Sequence, residues 1–205
     1  FTLTVGTQGP AKDANLRAIF VDRVTVNGSD GRPVGRGSSR LVYLAAPVTS
    51  PDGENVQLMI GGLTDNPDDA PGPYGVYLHA TSQSFERSTV TFGDGTVMES
   101  QHWMFKAQTG ERLEMHVTFE RGVGNRGRAS DRKEYSGANP GAYRTIRQEQ
   151  VLEILRNVTT TPPDRVRAFS FTAGGGKYSG LFDGTERVLS WDNIPWLLYS
   201  VPAPS

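Results

Sequence analysis

From Leu113 to Phe119 every second residue is apolar: Leu113, Met115, Val117 and Phe119 alternate with Glu114, His116 and Thr118. A period of two belongs to an extended chain with one face turned into a core. The run before it, Ser100 to Ala107, must therefore pair with this strand in a register that keeps the apolar stripe intact. A turn made of Thr109-Gly110 alone sets Leu113 against Lys106 and Val117 against His102, placing polar groups inside the stripe. A three-residue loop, Gln108-Thr109-Gly110, with Gly110 in the left-handed position, sets Leu113 opposite Phe105 and Met115 opposite Trp103. Hydrophobic matching selects the second register. It also places His116 opposite His102, Arg112 opposite Lys106 and Glu114 opposite Met104.

The rest of the chain repeats the theme. Segments rich in β-branched and aromatic residues are separated by Gly, Pro, Asn and Asp clusters, and 24 Gly with 13 Pro in 205 residues favour turns over long helices. The expected fold is mainly β: an antiparallel barrel or curved sandwich of about eight to ten strands, forming a single β-rich domain over 1–205. Arg40 to Val48 is apolar on both parities, as in a strand covered on both faces. Asn55 to Leu63 alternates and ends at Gly61-Gly62, where a bulge or a close backbone approach is expected. Gly93-Asp94-Gly95 is a natural three-residue hairpin loop. Asp22 falls on the apolar parity of its strand, which calls for a strand end or bulge that lets it reach solvent, or for an interior partner.

Three segments depart from the pattern. Residues 122–142 carry almost no apolar side chain and are expected as a mobile loop. "TIRQEQVLEILRN" places Val151, Leu152 and Leu155 on one face and predicts a packed helix over about 144–157. Gly174-Gly175-Gly176-Lys177 fails the phosphate-loop pattern, because Phe171 stands where a glycine is required and Tyr178 where a hydroxyl residue must follow the lysine. The run reads instead as a flexible hinge leading into a short helical turn over about 176–182. Beyond it, Pro195 divides the tryptophan-bearing C-terminal segment into two short strands.

Composition narrows the function classes. A formal net charge of −1 supplies no one-signed field to gather nucleic acid. No apolar run approaches the roughly 18 residues of a membrane-spanning helix, so membrane insertion is not expected. Without cysteine there is no disulfide, thiolate metal site or cysteine nucleophile. The chain begins at Phe1 without methionine, and the reading leans towards an exported protein.

Three functions follow. The leading expectation is a small-molecule-binding β domain whose cavity accepts an apolar or aromatic ligand, with no cofactor. The second is an enzyme in the same cavity. His79, His102 and His116 form a candidate ligand set for a divalent transition metal, with Glu114 close by. Alternatively Lys106 is a nucleophile whose ammonium is destabilised by Arg112, with Glu114 as a neighbouring acid. That is the device of acetoacetate decarboxylase, although His102-Trp103-Met104-Phe105-Lys106 lacks an adjacent lysine pair and the parallel is one of chemistry alone. The third is a non-catalytic interaction domain. A serine hydrolase lacks its Gly-x-Ser-x-Gly elbow here.

Overall fold

The computed structural model describes residues 1–6, 14–23, 31–33, 39–67, 75–121, 132–150, 159–160, 166–186, 191–192 and 196–202. Among them are β1 (Thr2–Leu3), β2 (Arg17–Arg23), β3 (Ser39–Thr49), β4 (Asn55–Thr64), β5 (Leu78–Thr91), β6 (Val97–Ala107) and β7 (Arg112–Glu120). Then come β8 (Arg132–Ser136), β9 (Asn139–Gln150), β10 (Thr159–Thr160), β11 (Val166–Gly174), β12 (Trp191–Asp192) and β13 (Trp196–Pro202). The protein is mainly β, as its punctuated apolar runs predict. The chain groups into two compact units, Phe1–His79 with Gly127–Leu152 and Pro195–Ser205, and Ala80–Arg126 with Glu153–Ile194.

In the first unit β3 is flanked by β2 and β4, both antiparallel. Leu41 to Ala46 are all buried, which is what a strand apolar on both parities requires. Leu41, Tyr43, Ala45, Met59, Val76 and Tyr77 form a core cluster, with Ile19 and Val21 packed against it. The β3–β4 register shifts between Leu44 and Ala45, so the bulge expected near Gly61-Gly62 is present. A Cβ on Gly62 would lie 2.6 Å from the Val42 carbonyl oxygen and 2.7 Å from the Tyr77 ring. Glycine is therefore required there by close approach. Asp22 reaches solvent and pairs with Arg40, its register partner, at 3.1 Å.

The pairing corrects the expectation of a wholly antiparallel sheet. Strand β4 runs parallel to β8 at Gln57–Met59 and parallel to β5 at Leu63–Thr64. Two strands thus share its second edge, one at each end. The segment expected as a loop contains a hairpin from residue 132 onward, in which β8 and β9 pair antiparallel, while 122–131 lie outside the described residues. The helix expected over 144–157 is replaced over 144–150 by β9, and 151–158 lie outside the described residues. Long-range pairing overrides the local pattern: β9 is held by β8 on one side and by β13 over Trp196–Pro202 on the other. The two C-terminal strands, β12 and β13, are present as read.

The second unit takes β5 from Ala80 onward and orders its strands β11-β7-β6-β5, all antiparallel. A 3-10 turn at Gly176–Tyr178 follows β11 and buries Tyr178. The glycine run before it is a tight seat rather than a free hinge: a Cβ on Gly175 would lie 2.0 Å from the Gly110 carbonyl oxygen, and one on Gly176 would lie 2.2 Å from the Glu111 carboxylate.

Candidate functional site

The site is built on β6 and β7. Gly110 takes φ 100°, Gly110 N–H donates to the Ala107 carbonyl at 3.1 Å, and Ala107 N–H donates to the Glu111 carbonyl at 2.8 Å. This is the three-residue loop that the apolar stripe demands. Leu113 pairs with Phe105, Met115 with Trp103, His116 with His102, Glu114 with Met104 and Arg112 with Lys106. From Glu99 onward the odd-numbered residues of both strands are buried, Phe105 and Leu113 completely. The even-numbered residues make a second, polar face.

On that face the two imidazoles lie one above the other, with ring centroids 3.8 Å apart and planes 10° from parallel. Glu114 lies diagonal to His102, a spacing that long side chains bridge across an antiparallel pair. Its Oε1 is 2.9 Å from His102 Nε2 and 3.6 Å from His116 Nε2, and Arg112 Nη2 donates to its Oε2 at 2.5 Å. The hydrogen bond from His102, then the Arg112 guanidinium, hold the Glu114 carboxyl below its ordinary range against the opposing effect of burial. An ionised carboxylate only accepts, so His102 carries its hydrogen on Nε2 in this contact.

Neighbouring strands extend the face. Glu86 of β5 is the register partner of His102, and Ser170 of β11 that of His116. One row further along, the Ser100 and Thr118 hydroxyls are 2.9 Å apart, and Ser88 pairs with Ser100. Between these rows is an open hollow of about 300 Å3, lined by Glu86, Ser88, Ser100, His102, His116 and Thr118, together with Arg87, Gln101 and Val117.

The structure thus brings together His102, His116, Glu114 and Arg112 from the residues read as candidates. Lys106 keeps its expected place opposite Arg112 but joins none of the contacts of Glu114. Lys106 is exposed, outside the hollow's lining, and faces Arg112 and Ser82 in register. The Arg112 guanidinium is directed to Glu114. His79 belongs to the first unit, where it pairs with Thr64, and among the described residues His102, Glu114 and His116 form a cluster of candidate metal ligands.

Reading the sequence missed Glu86, Ser88, Ser100 and Thr118. The signal was available in Gly93-Asp94-Gly95, whose loop closes with Phe92 N–H donating to the Thr96 carbonyl at 2.8 Å. Counting back from that loop places Glu86 opposite His102. Also missed was Glu99, fully buried on the apolar face of β6. It is held by Arg121 Nε at 2.7 Å, by Arg87 Nε at 3.0 Å and by the Gln101 amide, whose oxygen accepts from Trp103 Nε1 at 2.9 Å. A buried carboxylate needs such partners, and nothing in the local alternation announces them.

No known protein family matches this chain, nor does any curated protein or solved structure. Function therefore has to be argued from the residues themselves.

Proposed function

We propose that this protein is a ligand-binding β domain whose ligand is a small polar molecule seated on the polar face of the second unit. The observation that carries the reading is the convergence of two imidazoles, a carboxylate and a pair of hydroxyls around one hollow. Its volume of about 300 Å3 is at the lower end of small-molecule sites, which span roughly 300–1,000 Å3. The proposal departs from the apolar or aromatic ligand expected from composition, because Trp103 and Phe105 are spent in the core and the hollow offers hydrogen-bonding groups. A strand scaffold suits such a role, since groups fixed to paired strands lose little further freedom on binding.

The test is amide chemical-shift mapping of metal-stripped protein against a panel of small polar and aromatic molecules. Saturable shifts confined to Ser88, Ser100, His102, His116 and Thr118 are expected for polar members of the panel. They are expected to vanish in Ser88→Trp, where an indole on an exposed strand position fills the hollow. Shifts that map elsewhere, or that survive Ser88→Trp, overturn the reading.

A further inference from the structure

We infer that His102, His116 and Glu114 form a binding site for one divalent transition-metal ion, an inference that rests on the polar face of the second unit being the binding face. The candidate ligand atoms of all three residues lie within 4.8 Å of one another. An ion about 2.0–2.2 Å from each donor in a tetrahedral arrangement needs donors about 3.3 Å apart. The observed separations from Glu114 Oε1, 2.9 Å to His102 Nε2 and 3.6 Å to His116 Nε2, fall on either side of that value. The rings are stacked, so their nitrogen lone pairs run side by side. Convergence on one ion therefore requires the His116 ring, 54% exposed, to leave the stack by a change of side-chain rotamer. Binding then exchanges the His102 tautomer: its hydrogen moves from Nε2 to Nδ1, and Nε2 is offered to the ion.

Two imidazoles and one carboxylate are a nitrogen-rich set suited to zinc, iron(II) or nickel, whereas calcium and magnesium favour oxygen ligands throughout. Arg112 holds Oε2 of Glu114 at 2.5 Å and so leaves Oε1 for the ion, the orienting role that outer partners of metal-bound carboxylates play. Three protein donors leave at least one coordination position open. Because His102 and His116 also line the hollow, a water or a polar ligand in the hollow can complete the coordination. This set differs from the three-histidine set suggested by residue type alone, since Glu114 takes the place of His79.

Calorimetric titration of the untagged, chelator-stripped full chain with Zn2+, paralleled by the visible absorption of Co2+, tests the inference. One equivalent is expected to bind, with Zn2+ affinity lowered at least about tenfold in His116→Ala, since loss of a mere supporting partner already costs 10–100-fold. Glu114→Ala is expected to behave likewise, while His79→Ala leaves the affinity unchanged. Circular dichroism confirms that each variant is folded, and His116→Ala, altering an exposed strand position, carries the decision. Absence of stoichiometric Zn2+ binding overturns the inference, as does wild-type affinity in His116→Ala or Ca2+ binding as tight as Zn2+ binding. Failure here is distinguishable from failure of the ligand-binding reading: polar molecules that perturb metal-stripped protein and are blocked by Ser88→Trp preserve that reading even if no metal binds.

Discussion

The two faces of the β5–β6–β7–β11 sheet are built from the same strands and do opposite work. On one face, register sets Phe85, Trp103, Met115 and Phe171 in a row; on the other, the adjacent row is Glu86, His102, His116 and Ser170. The Phe85 and Trp103 rings approach to 4.1 Å and Trp103 is 3% exposed, while His116 and Glu86 face outward. Burying one large apolar side chain contributes about 1.5–3 kcal/mol, whereas an exposed ion pair contributes about 0–1 kcal/mol. The apolar face therefore chooses the register, and the polar face inherits its neighbours from that choice. A slip of one residue would exchange the faces completely. The histidine contact is a consequence of core packing, and it is the apolar side that must be broken to undo it.

The largest expected effect follows directly. Phe105→Ala removes a fully buried ring opposite Leu113 and is expected to cost about 3–5 kcal/mol, read as a lower denaturation midpoint. A loss under about 1 kcal/mol would mean that the apolar stripe is not what holds β6 against β7. Next in size is Gly175→Ala. Gly175 has φ 74° and ψ 151°, a region essentially restricted to glycine, and strain of this kind costs about 1–3 kcal/mol. The close approach to the Gly110 carbonyl adds to it. Denaturation melts of the variant should show a clear loss, and wild-type stability would mean that the 3-10 turn does not seat on the β6–β7 loop.

This contrast explains what could be read in advance. The β6–β7 register was legible because a strict two-residue period and one glycine leave a single arrangement that keeps Lys106 and His102 out of the stripe. The buried stretch of β3 was legible for the same kind of reason, from apolar residues on both parities. What escaped was set by distant pairing. Arg147, Gln148, Glu149 and Gln150 favour helix locally, and pairing with β13, continuing the β8–β9 hairpin, overrode that preference. The parallel contacts of β4 have no local signature at all. In the site, the sequence offers Glu114 as a neighbour of the histidines and as an acid beside Lys106, and does not show its bond to His102, because a diagonal contact depends on side-chain reach as well as register. His79 was placed with them on residue type, without any pairing argument.

The turn that joins β6 to β7 ends in an acid, Glu111, which gives a pH test. Glu111 is buried, accepts from the Thr109 hydroxyl and, at 3.2 Å, from Lys177 N–H. The Thr109 hydrogen bond first, with help from Lys177, holds its carboxyl below the ordinary 4.5, against burial. Protons therefore bind the unfolded chain more readily than the folded one. The stabilisation is complete above about pH 4.5 and is lost as pH falls through the lower, folded value. Glu111→Gln keeps an acceptor but has no proton to take up. Its stability should consequently fall less steeply than wild type below pH 4.5, in denaturation midpoints measured across the acid range. An acid slope identical to wild type would exclude Glu111 as the group that ties the turn to pH.

The smallest effect expected is the most informative about the polar face. His116 stacks on His102, yet its side chain is 54% exposed, so truncation opens no cavity and strands no buried donor. In metal-free protein His116→Ala should change stability by no more than about 0.5 kcal/mol, the usual range for surface substitutions, as measured by denaturant titration. Because β-branched and aromatic side chains favour strands over alanine, the change should also be slightly unfavourable. A loss comparable to that of Phe105→Ala would reverse the comparison, since the imidazole pair would then be helping to choose the register. A near-neutral result means that the fold does not depend on the pair, which leaves this face free to serve binding.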